Sequence, residues 1–250
     1  MNLDFFTTRK TIRKYKNKNI SESEIFKMIE AAACAPTTGG MQLYSVVVSS
    51  SDEIKKQLAP CHFNQPQIEN AAAVLTFCVD FNRFNKWCES GNAVPSYGNF
   101  QAFIYAAIDT IILTQQFNTI AEACGYGCCY LGTTTYTAHE IAKVLNLPKF
   151  VVPITTLTLG LPDDNSEKAE RIPTKGIIHQ EIYRDYSLSE IRDIYHEKES
   201  KPLNMKYVAE NGKSHLAQVF TDVRYTKADN EKYSKIYYDF IESQGFNFPR

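Results

Sequence analysis

Apolar residues along this chain recur at two periods, and the two periods predict helices alternating with short buried strands. Ile25, Met28, Ile29 and Ala32 repeat at helical spacing, so residues 21–35 read as an amphipathic helix. Ser21 with Glu24 three residues on forms a capping box at its start, and Pro36 stops it. Residues 43–49 and 151–159 are β-branched runs of strand length, and residues 72–79 are an apolar strand ending at Asp80. A short helix is expected over 52–58, stopped at Pro60, and another over 137–145, capped by Thr137 with Glu140. Residues 100–124 carry Ala, Ile, Leu and Phe on most faces. A helix of that kind belongs in a core or against another subunit. Residues 81–100, with the only Trp, read as a partly ordered excursion, and Pro162 opens a polar loop running to 175. Helical stretches are expected again near 188–198 and 226–244. Helices around a few well-separated strands give an α+β fold.

Composition narrows the class. The chain has 250 residues, 44% hydrophobic and 22% charged, enough for a sizeable core. A net charge of -1 gives no pull toward nucleic acid or an anionic membrane surface. No secretory leader is visible at the N-terminus, and the apolar run from Ala102 to Leu113 is broken by Asp109 and too short to span a bilayer. Seven cysteines do not make an even disulfide framework, so free thiols in a cytoplasmic protein are expected. Cys124, Cys128 and Cys129 cluster, but without a Cys-x-x-Cys pair or a nearby His at ligand spacing. Buried thiols are the plainer reading, and no metal is expected.

Two segments carry candidate chemistry. Arg9, Lys10, Thr11 and Arg13 cluster three cations and a hydroxyl, and Arg9, Thr11 and Arg13 would share one face of an extended segment. Guanidinium groups bind phosphate bidentately, and a hydroxyl adds a donor. The same run also reads as an ordinary solvated basic surface. Pro36-Thr37-Thr38-Gly39-Gly40-Met41 follows a helix and precedes a strand, exposing backbone N–H groups and two hydroxyls. It also reads as a plain loop. One segment suits an anion and the other a planar ligand, which together point to a phosphorylated cofactor.

The order of these segments resembles the FMN-dependent nitroreductase family, in its oxygen-insensitive nitroreductase and flavin reductase branch. The stretch ending Val79-Asp80-Phe81-Asn82-Arg83, the segment from Gly125-Tyr126-Gly127 to Tyr130-Leu131-Gly132, and Leu159-Gly160-Leu161-Pro162 resemble it too. The resemblance covers residues 3–180 well and the tail more loosely. It implies a single nitroreductase-like domain over 1–250, with a central, mostly antiparallel sheet flanked by helices and 176–250 as a C-terminal extension over the core. It implies an intertwined homodimer with FMN at the interface. By resemblance, Arg9, Lys10, Thr11 and Arg13 bind the phosphate and ribityl oxygens. Thr37, Thr38 and Gly39 approach from the neighbouring subunit, with Met41 packing nearby. Gln65 bonds the flavin or ribityl, its alternative being an exposed loop amide. Tyr130, Leu131, Gly132 and Thr133 flank the ring, their alternative being a turn. Arg171 pairs with phosphate, and Lys168 stands beside Ala169, where the family carries a Lys.

The implied activity is hydride transfer from NADH or NADPH through FMN to nitroaromatics, quinones or similar small acceptors, by a ping-pong mechanism. The chemistry is flavin-borne, and no catalytic side chain is demanded. Lys213 stands where close relatives carry an Arg-rich loop for the NADPH phosphate, which leaves NADH or mixed use open. Other readings are a flavin reductase, a non-catalytic flavin-binding protein, and a thiol redox protein using the three clustered cysteines.

Overall fold

The computed structural model describes residues 3–165 and 167–248. Its centre is a four-stranded antiparallel sheet in the order β1-β2-β4-β3. The strands are β1 (Tyr44–Ser49), β2 (Ala73–Asp80), β3 (Gly127–Leu131) and β4 (Val151–Gly160). β2 is buried along its whole length, which is why it reads as a continuous apolar run instead of an alternating one.

Each face of the sheet is covered by helices. On one face lie α2 (Glu22–Ala32) and α6 (Phe100–Ala123), and α6 touches all four strands. Ile25, Met28, Leu113 and Phe117 pack there against Leu75, Phe77, Cys128 and Leu157. On the other face, α3 (Asp52–Cys61), α4 (Gln67–Asn70) and α7 (Ala138–Val144) bring Leu58, Ile68 and Ile141 onto Val74, Cys129 and Leu131. A third cluster closes the end of the sheet around Phe81, Phe103, Val152 and Phe246.

The N-terminal segment after α1 (Asp4–Thr8) crosses the second face at one bare spot. Gly127 and Gly160 are direct partners across β3 and β4. A Cβ at Gly127 would lie 2.6 Å from the Ile12 side chain, and one at Gly160 2.6 Å from the Tyr15 ring. With no side chains there, Ile12 and Tyr15 lie on the sheet and are buried. The Ile12 N–H donates to the Cys128 carbonyl (3.1 Å), and the Lys16 N–H to that of Leu161 (2.9 Å). The Tyr15 hydroxyl reaches the Ile12 carbonyl (2.8 Å) and the Thr158 hydroxyl (2.7 Å).

The chain forms two compact units, Met1–Glu167 with Tyr233–Arg250, and Lys168–Lys232. The second unit is helical: α8 (Leu188–Ser200), α9 (Pro202–Glu210) and α10 (Leu216–Val219), with a π turn over Phe220–Arg224. Ser187 closes a capping box with Glu190 at the start of α8. α11 (Lys227–Ser243) then returns the chain to the first unit, where the Tyr237 hydroxyl donates to the Pro153 carbonyl (2.9 Å).

Several local expectations need correction. Pro60 lies inside α3 instead of stopping it. The last turn is kept although Pro60 has no N–H for an i→i−4 bond, because Leu58, Ala59 and Cys61 are buried there. Residues 81–100 contain α5 (Asn82–Ser90), started by the Asp80 carboxylate accepting from the Arg83 N–H (3.0 Å). Ser21 caps α2 from one side only, since the Glu24 carboxylate accepts from the Tyr126 hydroxyl. Thr137 does not cap α7 with its side chain; that hydroxyl donates to the Cys61 carbonyl. β3 and α9 escape the sequence pattern, β3 because it is short and begins at glycine.

Gly160→Ala puts a methyl into the Tyr15 ring. It is expected to destabilise the protein by about 1–3 kcal/mol through overpacking, read as a lower melting temperature. An unchanged melting temperature would refute the close approach.

Candidate active site

Arg13 is exposed, and its guanidinium and the Gln67 amide both lie near enough to the Cys129 thiol to offset part of the upward push that burial gives it. Gln67 Nε2 donates to Gln65 Oε1 (2.8 Å), and Gln65 Nε2 donates to the Thr133 hydroxyl (3.4 Å). His62 Nδ1 lies 2.9 Å from the same hydroxyl. A row of polar groups therefore runs from Arg13 past Cys129 and Gln67 to Gln65 and Thr133. One end is cationic and the other carries neutral hydrogen-bonding groups.

At the Thr133 end, Gly132 has no described atom within 4 Å of where a Cβ would stand, and its φ is not positive. Neither packing nor backbone geometry demands glycine, so the bare space suits the face of a flat ligand. Leu131 turns its side chain into the core, which leaves only its backbone for a ligand. Tyr130 is 41% exposed and donates its hydroxyl to Gln115 on α6 (3.2 Å).

The basic cluster does not act as one face. Arg9 is spent on Glu122 of α6, with Nε and Nη2 both on the carboxylate at 2.8–3.1 Å. That bidentate pair raises the Arg9 guanidinium further. Lys10 Nζ donates to the Asp164 carbonyl (3.1 Å), and the Asp164 carboxylate accepts from the Arg13 N–H (2.9 Å). Thr11 is half-buried beside them. Arg13 and Lys10 thus supply the positive end, partly offset by Asp164.

The Thr37–Gly39 loop is organised by a buried carboxylate. Asp109 on α6 is 1% exposed. It accepts from the Thr37 hydroxyl (2.5 Å), the Thr38 hydroxyl (2.8 Å) and the Thr38 N–H (2.9 Å). Both hydroxyl protons point into the protein, so the loop offers outward only backbone and hydroxyl lone pairs. Met41 is half-buried in the cluster at the sheet end. Lys168 and Arg171 belong to the second unit, where both are exposed and Arg171 Nη1 donates to the Ala169 and Glu170 carbonyls (3.0 Å each).

The sequence reading missed His62, Gln67, Asp109, Glu122 and Asp164. Gln67 had a legible signal, a second amide two residues after Gln65; the others bond across gaps of roughly 70 residues or more.

A polar row with a cationic end, leading to an open backbone beside an antiparallel sheet, is an arrangement that suits a phosphorylated, flat ligand. The chain belongs to the nitroreductase family, whose model matches residues 6–161. It is 49% identical to a solved structure from Bacteroides fragilis NCTC 9343, covering 97% of this chain and 99% of that one at a TM-score of 0.96. It is 28% identical over 248 residues to the FMN reductase (NAD(P)H) of Bacillus subtilis (strain 168), covering 96% of this chain and 95% of the relative. A solved structure from Exiguobacterium sibiricum 255-15, in complex with FMN, is 25% identical at a TM-score of 0.61, covering 72% of this chain and 96% of that one.

Burial holds the His62 imidazole at about 4, below its ordinary 6.5. Between these values the unfolded chain binds a proton that the folded one does not. The associated stability is complete above pH 6.5 and is lost as pH falls toward 4, by roughly 3 kcal/mol in all. Urea midpoints should fall more steeply over this window in wild type than in His62→Asn. Parallel losses in both would contradict the assignment.

Proposed function

We propose that the protein is an FMN-dependent oxidoreductase that takes hydride from NADH or NADPH and passes it to small electron-poor acceptors, nitroaromatics, quinones or free flavins, in ping-pong order. The observation that carries this reading is the row from Arg13 to Thr133 ending at the open backbone of Gly132. The relative named FMN reductase and the FMN-bound family structure support the choice of ligand. Arg13 and Lys10 suit the phosphate, Gln67 and Gln65 the ribityl and ring edge, and the backbone around Leu131–Gly132 the ring itself. Lys168 and Arg171 are further candidates for the phosphate.

Bound FMN would supply the hydride-accepting and hydride-donating chemistry. The chain's own work is to hold the anion, orient the ring and place backbone donors along its edge, where they favour the negative charge of the reduced form. Lys213 is ion-paired with Asp222 (2.8 Å), which offsets its charge, and both nucleotides are expected to serve. A thiol mechanism is disfavoured. Burial pushes the Cys128 and Cys129 thiols up, and the two belong to cores on opposite faces of the sheet.

The working form in this reading is a homodimer in which Thr37, Thr38, Gly39 and Met41 face the partner's cofactor. α6 exposes Phe100, Ile108 and Ile111 along one side, with Tyr105 beside them. This apolar stripe suits a subunit contact. The free cysteines accord with the cytoplasm, and no helix among the described residues is long and apolar enough to cross a membrane.

The purified protein should show flavin absorption that bleaches on anaerobic addition of NADH or NADPH and returns with a quinone. A protein that cannot be loaded with FMN would overturn the reading; one that loads but is bleached by neither nucleotide would leave only a flavin-binding module. Arg13→Ala should weaken FMN affinity about tenfold or more, since a charge-assisted bond contributes about 1.5–3 kcal/mol. Unchanged affinity would remove Arg13 from the site.

A further inference from the structure

His62 is wholly buried, with Nδ1 2.9 Å from the Thr133 hydroxyl and no partner for Nε2. Its place is held by strained backbone. Phe63 and Asn64 follow it with φ of 56° and 52°. Left-handed conformations at non-glycine residues persist only where the surroundings enforce them, and they gather at ligand clamps. Here the Phe63 ring lies 6.3 Å from Tyr136 and 6.5 Å from Tyr233, and the Thr137 hydroxyl pins the Cys61 carbonyl just before the bend.

The orphaned Nε2 decides the direction of the hydrogen bonds. With the proton on Nε2, a buried N–H would face no acceptor. With the proton on Nδ1, only a lone pair goes unused. Orphaned buried N–H groups are the rarer of the two. Nδ1–H therefore donates to Thr133 Oγ1, which already accepts from Gln65 Nε2. An oxygen that accepts twice must aim its own proton away from both donors. Thr133 keeps 9% exposure, next to the open backbone of Gly132.

We propose that His62 is a positioning residue: by donating to Thr133 it turns the Thr133 hydroxyl into a hydrogen-bond donor toward the ligand. The matching ligand atoms are acceptors on a flat heterocycle, carbonyl oxygens or unprotonated ring nitrogens. His62 does not touch the ligand and acts only through Thr133. The proposal takes its ligand from the FMN reading above.

The test is FMN binding to apoprotein, read by quenching of FMN fluorescence, together with the imidazole nitrogen shifts of His62 in a histidine-labelled wild-type sample. Thr133→Val and His62→Leu should each weaken FMN about tenfold, the equivalent of about 1.4 kcal/mol, and the double variant should be no weaker than either. His62→Asn, whose amide N–H stands where Nδ1–H stood, should recover most of the affinity. The nitrogen shifts should show the proton on Nδ1 and need no variant to fold. A proton on Nε2, or His62→Leu binding FMN as wild type does, overturns the proposal alone. Wild-type protein that leaves FMN fluorescence unchanged overturns the functional reading, and this proposal with it.

Discussion

The site depends on one close approach, the crossing of residues 12–15 over the paired glycines 127 and 160. Any side chain on that patch would lift Ile12 and Tyr15 off the sheet. With the patch bare, the Ile12 N–H reaches the end of β3 and the Tyr15 hydroxyl reaches Thr158 on β4. The same crossing delivers Arg13 to Cys129, so the glycines set the position of the cationic end of the site. They do so by packing alone and touch no ligand.

The rest of the site is organised from beneath by buried and half-buried polar groups. Asp109 gathers the Thr37–Thr38 loop, Glu122 holds Arg9, and His62 supports Thr133. Two of these anchors sit on α6. That explains why a helix so apolar buries Asp109; Thr110 and Thr114, also buried there, donate to the Ala106 and Thr110 carbonyls of the helix itself. Placing the anchors on a long helix that touches every strand ties both loops to the sheet. The outer side of the same helix is apolar and exposed, so one element serves the core, the site and the proposed subunit contact.

Long periodic elements were legible in the sequence. α2, α6 and the apolar strands follow from spacing alone, because burial against a sheet imposes it. What stayed hidden depends on contacts distant in sequence. Gly127 looks like a turn residue until its register with Gly160 is known. Arg9 and Arg13 alternate as if to share a ligand, yet Glu122, more than a hundred residues away, takes Arg9. Thr37 and Thr38 look like outward donors until Asp109 claims their protons. Pro60 reads as a stop because the pull of buried Leu58 and Cys61 is invisible locally. His62 offered no pattern; it becomes visible only through its lost partner at Nε2.

A crystal structure of the protein soaked with FMN tests the central claim most directly. The account places the phosphate against Arg13 and Lys10, with the ring over the backbone at Leu131–Gly132 and the Gln65 and Thr133 side chains on its edge. A phosphate held away from Arg13, or a ring stacked where Gly132 remains bare, would contradict it.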